Sequence, residues 1–244
     1  MSTISGCGSL EADDPNTVRV VGGNLVARLL QRTSVRFAKR SKKFLDTVNR
    51  LPFVFGERSL NSVLLPSLGD CADAVTTEYP VRRRRTRGQG SGFGFLDYWV
   101  FHNHRLMMIE VKQVWLNPST RSVTDRVRRN WSVAIRQTDR IPLTSIREDL
   151  NEMSLDASSV FRVPLLVAPF ISTSGEEERI DYDRRILVYR HETLRNELSP
   201  RPNFSTLWLL KHDFQGPYPW WSGPNLRHAT FPAVGFYTWI HRRG

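Results

Sequence analysis

Apolar and polar positions alternate along this chain with two distinct periods, and the changes of period mark its elements. Between residues 23 and 51, Val26, Leu30, Thr33, Phe37, Phe44, Val48 and Leu51 recur at three- and four-residue steps or their sum, the spacing of one face of an α-helix. The other faces carry Arg28, Arg32, Arg36, Lys39, Arg40, Lys42 and Lys43. This predicts a basic amphipathic helix, or two helices broken near Ser41, ended by Pro52. A second helical pattern covers 56–65, with Leu60, Val63 and Leu64 on one face and Pro66 and Gly69 beyond it. The period then falls to two. Residues 74–81 are β-branched and alternating, which predicts a strand. Residues 94–101 and 106–113 predict two more, joined by the polar turn His102-Asn103-His104-Arg105.

Helical spacing returns over 122–141, where Val123, Val127, Trp131, Ala134, Thr138 and Ile141 form an apolar stripe. Beyond it, the nearly continuous apolar runs at 161–170 and 205–210 predict buried strands. Residues 185–189 and 233–240 read as further strands, 192–198 as a short helix, and 215–224 as a loop rich in Pro, Gly and aromatics. Residues 1–16 are small and polar with an acidic end, the composition of a flexible tail. Helices interleaved with strands indicate the α/β class. The expected organisation is a tail at 1–16, a basic helical extension at 17–52 and a main domain at 53–244.

Composition narrows the function classes. At 244 residues, 40% hydrophobic and 24% charged, the chain suits a globular protein with a substantial core. No apolar run reaches the roughly 18 residues of a membrane-spanning helix. The first residues lack the charged and apolar regions of a secretory signal. Cys7 and Cys71 make no disulfide framework, and no Cys/His set has zinc spacing, so a reducing cytoplasm is the expected location. The net charge of +11 points to a polyanionic partner, either nucleic acid or an anionic membrane surface met by the basic helix.

Charge clustering favours nucleic acid. Arg82, Arg83, Arg84, Arg85 and Arg87 fill five of six positions, and a stretch with Gly at alternate positions follows. No Gly-Lys-Ser/Thr comes after it, so it is not a Walker-type phosphate-binding loop. It reads as a hairpin tip whose guanidinium groups suit bidentate contact with phosphate. Arg126 and Arg129 lie off the apolar stripe of the 122–141 helix and extend that basic surface.

The chemistry centres on Asp97, Glu110 and Lys112. Side chains alternate across a strand, so Glu110 and Lys112 project to one side and Val111 to the other. The surrounding run, Leu106 to Ile109 and then Val114 and Trp115, is apolar, and charges inside a buried run need partners or a metal. Two carboxylates beside an ammonium suit a hard divalent cation. The consecutive His102-Asn103-His104 is better read as a polar turn than as a metal site, because no further ligands cluster with it.

Asp97, twelve intervening residues and Glu110-Val111-Lys112 in an apolar strand resemble the signature of the PD-(D/E)XK, or restriction-endonuclease-like, nuclease superfamily. The resemblance covers residues 53–141, with Leu96 at the position of the family's Pro, which is often absent. It implies a central mixed β-sheet flanked by helices and a Mg²⁺-dependent endonuclease, with Mn²⁺ as a substitute. It further implies Asp97 and Glu110 as metal ligands and Lys112 as the residue assisting the attacking water. In that family a helix before the sheet often supplies another acidic residue, a place that Glu57 matches, with Glu78 in the first strand as its rival. DNA is the expected polymer ahead of RNA, and a homodimer or larger complex would suit a double-strand cut. The competing reading is a non-catalytic nucleic-acid-binding module on the same fold.

Overall fold

The computed structural model describes residues 1–84, 91–120, 122–174, 180–222 and 225–242. Its elements are β1 (Ser2–Ile4), β2 (Gly8–Ala12), α1 (Gly23–Val48), α2 (Glu57–Gly69), β3 (Ala74–Arg84), β4 (Ser91–His102), β5 (Arg105–Gln113), α3 (Asp125–Asp139), α4 (Leu143–Glu152), β6 (Ser159–Pro169), β7 (Ser172–Ser174), α5 (Arg184–Glu197), β8 (Phe204–Leu210), β9 (Tyr218–Ser222), β10 (Asn225–Thr230) and β11 (Ala233–Thr238). Eight strands form one mixed sheet in the order β1-β2-β8-β11-β6-β5-β4-β3. Its pairings are antiparallel except for β5 with β6, which α3 and α4 connect as a crossover. A separate three-stranded sheet runs β7-β10-β9.

Alternation along the central strands sorts the core into layers. Phe161, Val163, Leu165 and Val167 of β6 face α1 and α2, together with Trp208 of β8 and Phe236 of β11. Leu166 and Ala168 face α3 and α5. The far end of that second face holds Val81, Leu96, Met108 and the α4 residues Ile146 and Leu150. The protein is therefore mixed α/β, with a large mixed sheet flanked by helices on both faces. Among the described residues, no helix is long and apolar enough to cross a membrane.

Several elements differ from the sequence expectation. Residues 1–16 are not a free tail. Ile4, Cys7 and Leu10 are buried, β2 pairs with β8, and Asp13 accepts hydrogen bonds from the Ser205 amide (2.7 Å) and hydroxyl (2.9 Å). These strands are too short for alternation to reveal them. Residues 17–52 are likewise not an extension, because α1 packs on the sheet. Phe37 lies edge-on to Trp208 and Phe236 at 6.2 and 5.2 Å between ring centres. The helix runs unbroken through Ser41, which is small enough to be fully buried, while Arg28, Arg32, Arg36, Lys39 and Lys43 stay at least partly exposed.

The run at 185–189 is helical, joined to 192–197 in α5. Asp183 caps this helix by accepting from the Arg185 amide. Leu187, His191 and Leu194, at helical steps, turn inward, whereas Ile186 and Tyr189 are exposed. The aromatic stretch at 215–224 contributes β9, and α4 is a helix that the apolar spacing did not reveal. The remaining predicted strands and the 122–141 helix are present with ends displaced by a few residues.

Candidate active site

The candidate site lies where two strands separate. β4 pairs with β3 on either side of Asp97, but with β5 only from Tyr98 to His102. Asp97 is the first residue beyond that last pair. Its Oδ2 accepts the Val111 backbone N–H at 2.7 Å, so a carboxylate bridges the gap between the two strands.

Glu110 belongs to β5 at the same level and is only 1% exposed. Arg83 Nη2 donates to its Oε1, while its Oε2 is buried and has no hydrogen-bond partner among the described residues. Burial, reinforced by the nearby Asp97 charge, pushes the Glu110 carboxyl up to about 8, against the opposing pull of Arg83 and Lys112. Burial outweighs the ion pairs here because one carboxylate oxygen has lost water without gaining a donor.

Lys112 is mostly buried, and its ammonium is held by three neighbours. Nζ lies 2.8 Å from the Val111 carbonyl, 3.2 Å from Glu57 Oε1 and 4.0 Å from Asp97 Oδ2. Glu57 opens α2, where a carboxylate complements the positive end of the helix dipole. Its Oε2 also accepts the Gln113 amide at 3.3 Å. Gln113 Nε2 in turn donates to the Phe53 carbonyl at 2.8 Å. The start of α2 is thus clamped to the end of β5. Glu78 sits across from Asp97 in the β3–β4 register, with a left-handed φ of 50°, and is exposed. Of the two rival acidic residues, Glu57 is the one that reaches Lys112.

The Arg tract divides. Arg82 and Arg84 are exposed. Arg83, expected to meet phosphate, instead turns inward to Glu110 and to the Phe95 carbonyl. It shares a face with Val81 by the two-residue period, and Val81 is buried on the α4 side. Gly94 makes its path possible, since a Cβ there would stand 3.0 Å from Arg83 Nε. The sequence pattern had put both residues in a hairpin tip. Counting the period from Val81 would have pointed Arg83 at the site. Arg85 and Arg87 lie outside the described residues. Arg126 and Arg129 are exposed on α3, and the Arg126 guanidinium lies 5.8 Å from the centre of the Trp115 ring.

The turn between β4 and β5 is polar, as expected. His102 Nδ1 pairs with Asp73 at 3.1 Å and the Asn103 amide donates to the same carboxylate at 2.8 Å. Among the described residues, no group of three or more His, Cys, Asp or Glu side chains is arranged to hold a metal. Asp97 and Glu110 are brought together, whereas Glu57 joins them only through Lys112. The donors gathered there, the Asp97 and Glu110 carboxylates and the Val111 carbonyl, are all oxygen, the type that a hard cation takes. No protein-family model, curated protein or solved structure matches this chain.

Proposed function

We propose that this protein is a Mg²⁺-dependent nuclease of restriction-endonuclease-like fold that hydrolyses phosphodiester bonds, with DNA as its substrate. One observation carries the reading: Glu110 is a fully buried carboxyl group with one oxygen unpartnered among the described residues, beside Asp97 and Lys112. A buried carboxyl with one oxygen that no described residue bonds is costly to ionise, and a cation shared with Asp97 would offset that cost. The element order supports the fold assignment. A helix (α2) precedes the meander β3–β4–β5, and α3 then packs on the sheet before β6, which runs parallel to β5.

Each side chain then has a task. Asp97 and Glu110 would hold Mg²⁺, or Mn²⁺ in its place. A bound divalent cation supplies positive charge to a phosphoryl oxygen and acidity to a water. Lys112 orients the attacking water and stabilises charge on the phosphoryl group. Glu57 is a positioning residue, keeping the ammonium at the fork through its 3.2 Å contact. Arg83 donates to Glu110 while no cation is bound, and Arg82, Arg84, Arg126 and Arg129 offer backbone contacts that carry affinity without sequence specificity.

The test is cleavage of supercoiled, linear and single-stranded substrates by purified protein with Mg²⁺ or Mn²⁺. Glu110→Ala and Lys112→Ala should each abolish it, and equal cleavage by wild type and both variants refutes the proposal. The Arg83–Glu110 ion pair favours one second reading, a nucleic-acid-binding module in which arginine permanently takes the cation's place. Salt-sensitive binding without turnover across metals and substrates would select that reading.

A further inference from the structure

A cleft of about 240 Å³ is lined by Arg50, Val54, Phe55, Trp115, Pro219 and Trp220. Its walls are aromatic and its rim is cationic. Phe55 is 55% exposed, with the Arg50 guanidinium 5.7 Å from its ring centre. Trp115 stands edge-to-face with Trp220 at 5.4 Å and carries Arg126 on its ring. Trp115 Nε1 is buried and has no hydrogen-bond partner among the described residues.

The cleft and the fork are built from neighbouring stretches of chain. Phe55 lies two residues before Glu57, and Phe53 is bonded to Gln113. Trp115 follows Lys112 by three residues, at most about 10 Å along an extended chain. A half-exposed Phe is poorly placed for the core, yet its ring face and the guanidinium above it are both surfaces on which a base stacks. The unpartnered indole N–H suits an acceptor on a base edge.

We propose that this cleft binds an unpaired nucleobase, so that the substrate is engaged as a single-stranded segment whose backbone runs on to Asp97, Glu110 and Lys112. The inference rests on the nucleic-acid reading above but not on catalysis. In a duplex the faces of the bases are already stacked on one another, so a recessed aromatic cleft admits only a base released from its partner.

The test is fluorescence anisotropy in EDTA with labelled oligothymidylate, oligouridylate, the same deoxy strand lacking its bases, and a duplex of equal length. Wild type should prefer the base-bearing strands to the abasic one. Phe55→Ala should weaken base-bearing binding about tenfold, the weight of one stacked base, and leave abasic and duplex binding unchanged. Phe55→Leu, which keeps apolar bulk and removes the ring face, should do the same and guards against a folding defect. Arg50→Ala should weaken it in the same direction. Equal binding of abasic and base-bearing strands by wild type, or unchanged binding by the Phe55 variants, overturns the cleft assignment. A failure to cleave with Mg²⁺ overturns only the nuclease reading, because binding is measured without metal.

Discussion

Replacing Glu110 by Gln should make the protein more stable at neutral and alkaline pH, although it removes a charge that takes part in an ion pair. A carboxyl that titrates near 8 in the folded chain instead of at 4.5 disfavours its charged form by about 1.4 kcal/mol for each pH unit of that gap. The folded state binds the extra proton between those limits, so stability falls as pH rises from about 4.5 to about 8 and is level on either side. The penalty is on the order of 3 kcal/mol at pH 7 and 5 kcal/mol above pH 8. The amide keeps the shape of the side chain and an oxygen for the Arg83 donor, so little of this gain is lost to an orphaned guanidinium. Urea unfolding in EDTA at pH 4, 7 and 9 measures the effect. Subtracting the variant from the wild type cancels the other titrating groups, including His191, whose burial lowers it to about 3. Wild type and E110Q should coincide at pH 4 and separate by several kcal/mol at pH 9. Curves that stay parallel over the whole range would refute the burial argument, and with it the main physical reason to place a cation at Glu110.

Three further outcomes follow from the geometry. Gly94→Ala places a methyl group 3.0 Å from Arg83 Nε; displacing that side chain should cost about 1 kcal/mol, seen as a lower thermal midpoint, and an unchanged midpoint would mean that Arg83 gives way freely. Deleting residues 1–13 strips β1 and β2 from β8 and removes the Cys7 carbonyl that accepts from Trp208 Nε1 at 3.0 Å, so the urea midpoint should fall, whereas a dispensable tail would leave it unmoved. The double variant Arg126→Ala/Arg129→Ala should reduce the slope of log affinity against log salt by about 0.7–0.9 for each phosphate that is no longer neutralised, and an unaltered slope would place the polyanion elsewhere.

What the chain determined locally was legible from its residues. The α1 and α3 faces, the hairpin of β4 and β5 and the buried β6 and β8 all follow from period and run length, because burying one face of a regular element imposes its spacing on the sequence. The same alternation put Glu110 and Lys112 on one side of one strand. Where burial was carried by few residues the signal failed. Residues 1–13 bury Ile4, Cys7 and Leu10, too few to show a period. Residues 185–189 read as a strand because so short a run cannot separate the two periods, and capping by Asp183 together with packing of Leu187 and Leu194 decided for a helix. The site itself was decided by tertiary structure. The separation of β4 from β5 beyond Tyr98 sets Asp97 against the Val111 amide, and the arrival of α2 brings Glu57 to Lys112 from 55 residues away. Arg83 crosses Gly94 to reach Glu110, and no local pattern encodes that step. Hydrophobic spacing reports which face of an element is buried. It does not report which charges from different elements meet there, because that depends on how strands diverge and helices dock, and those follow from packing of the whole core.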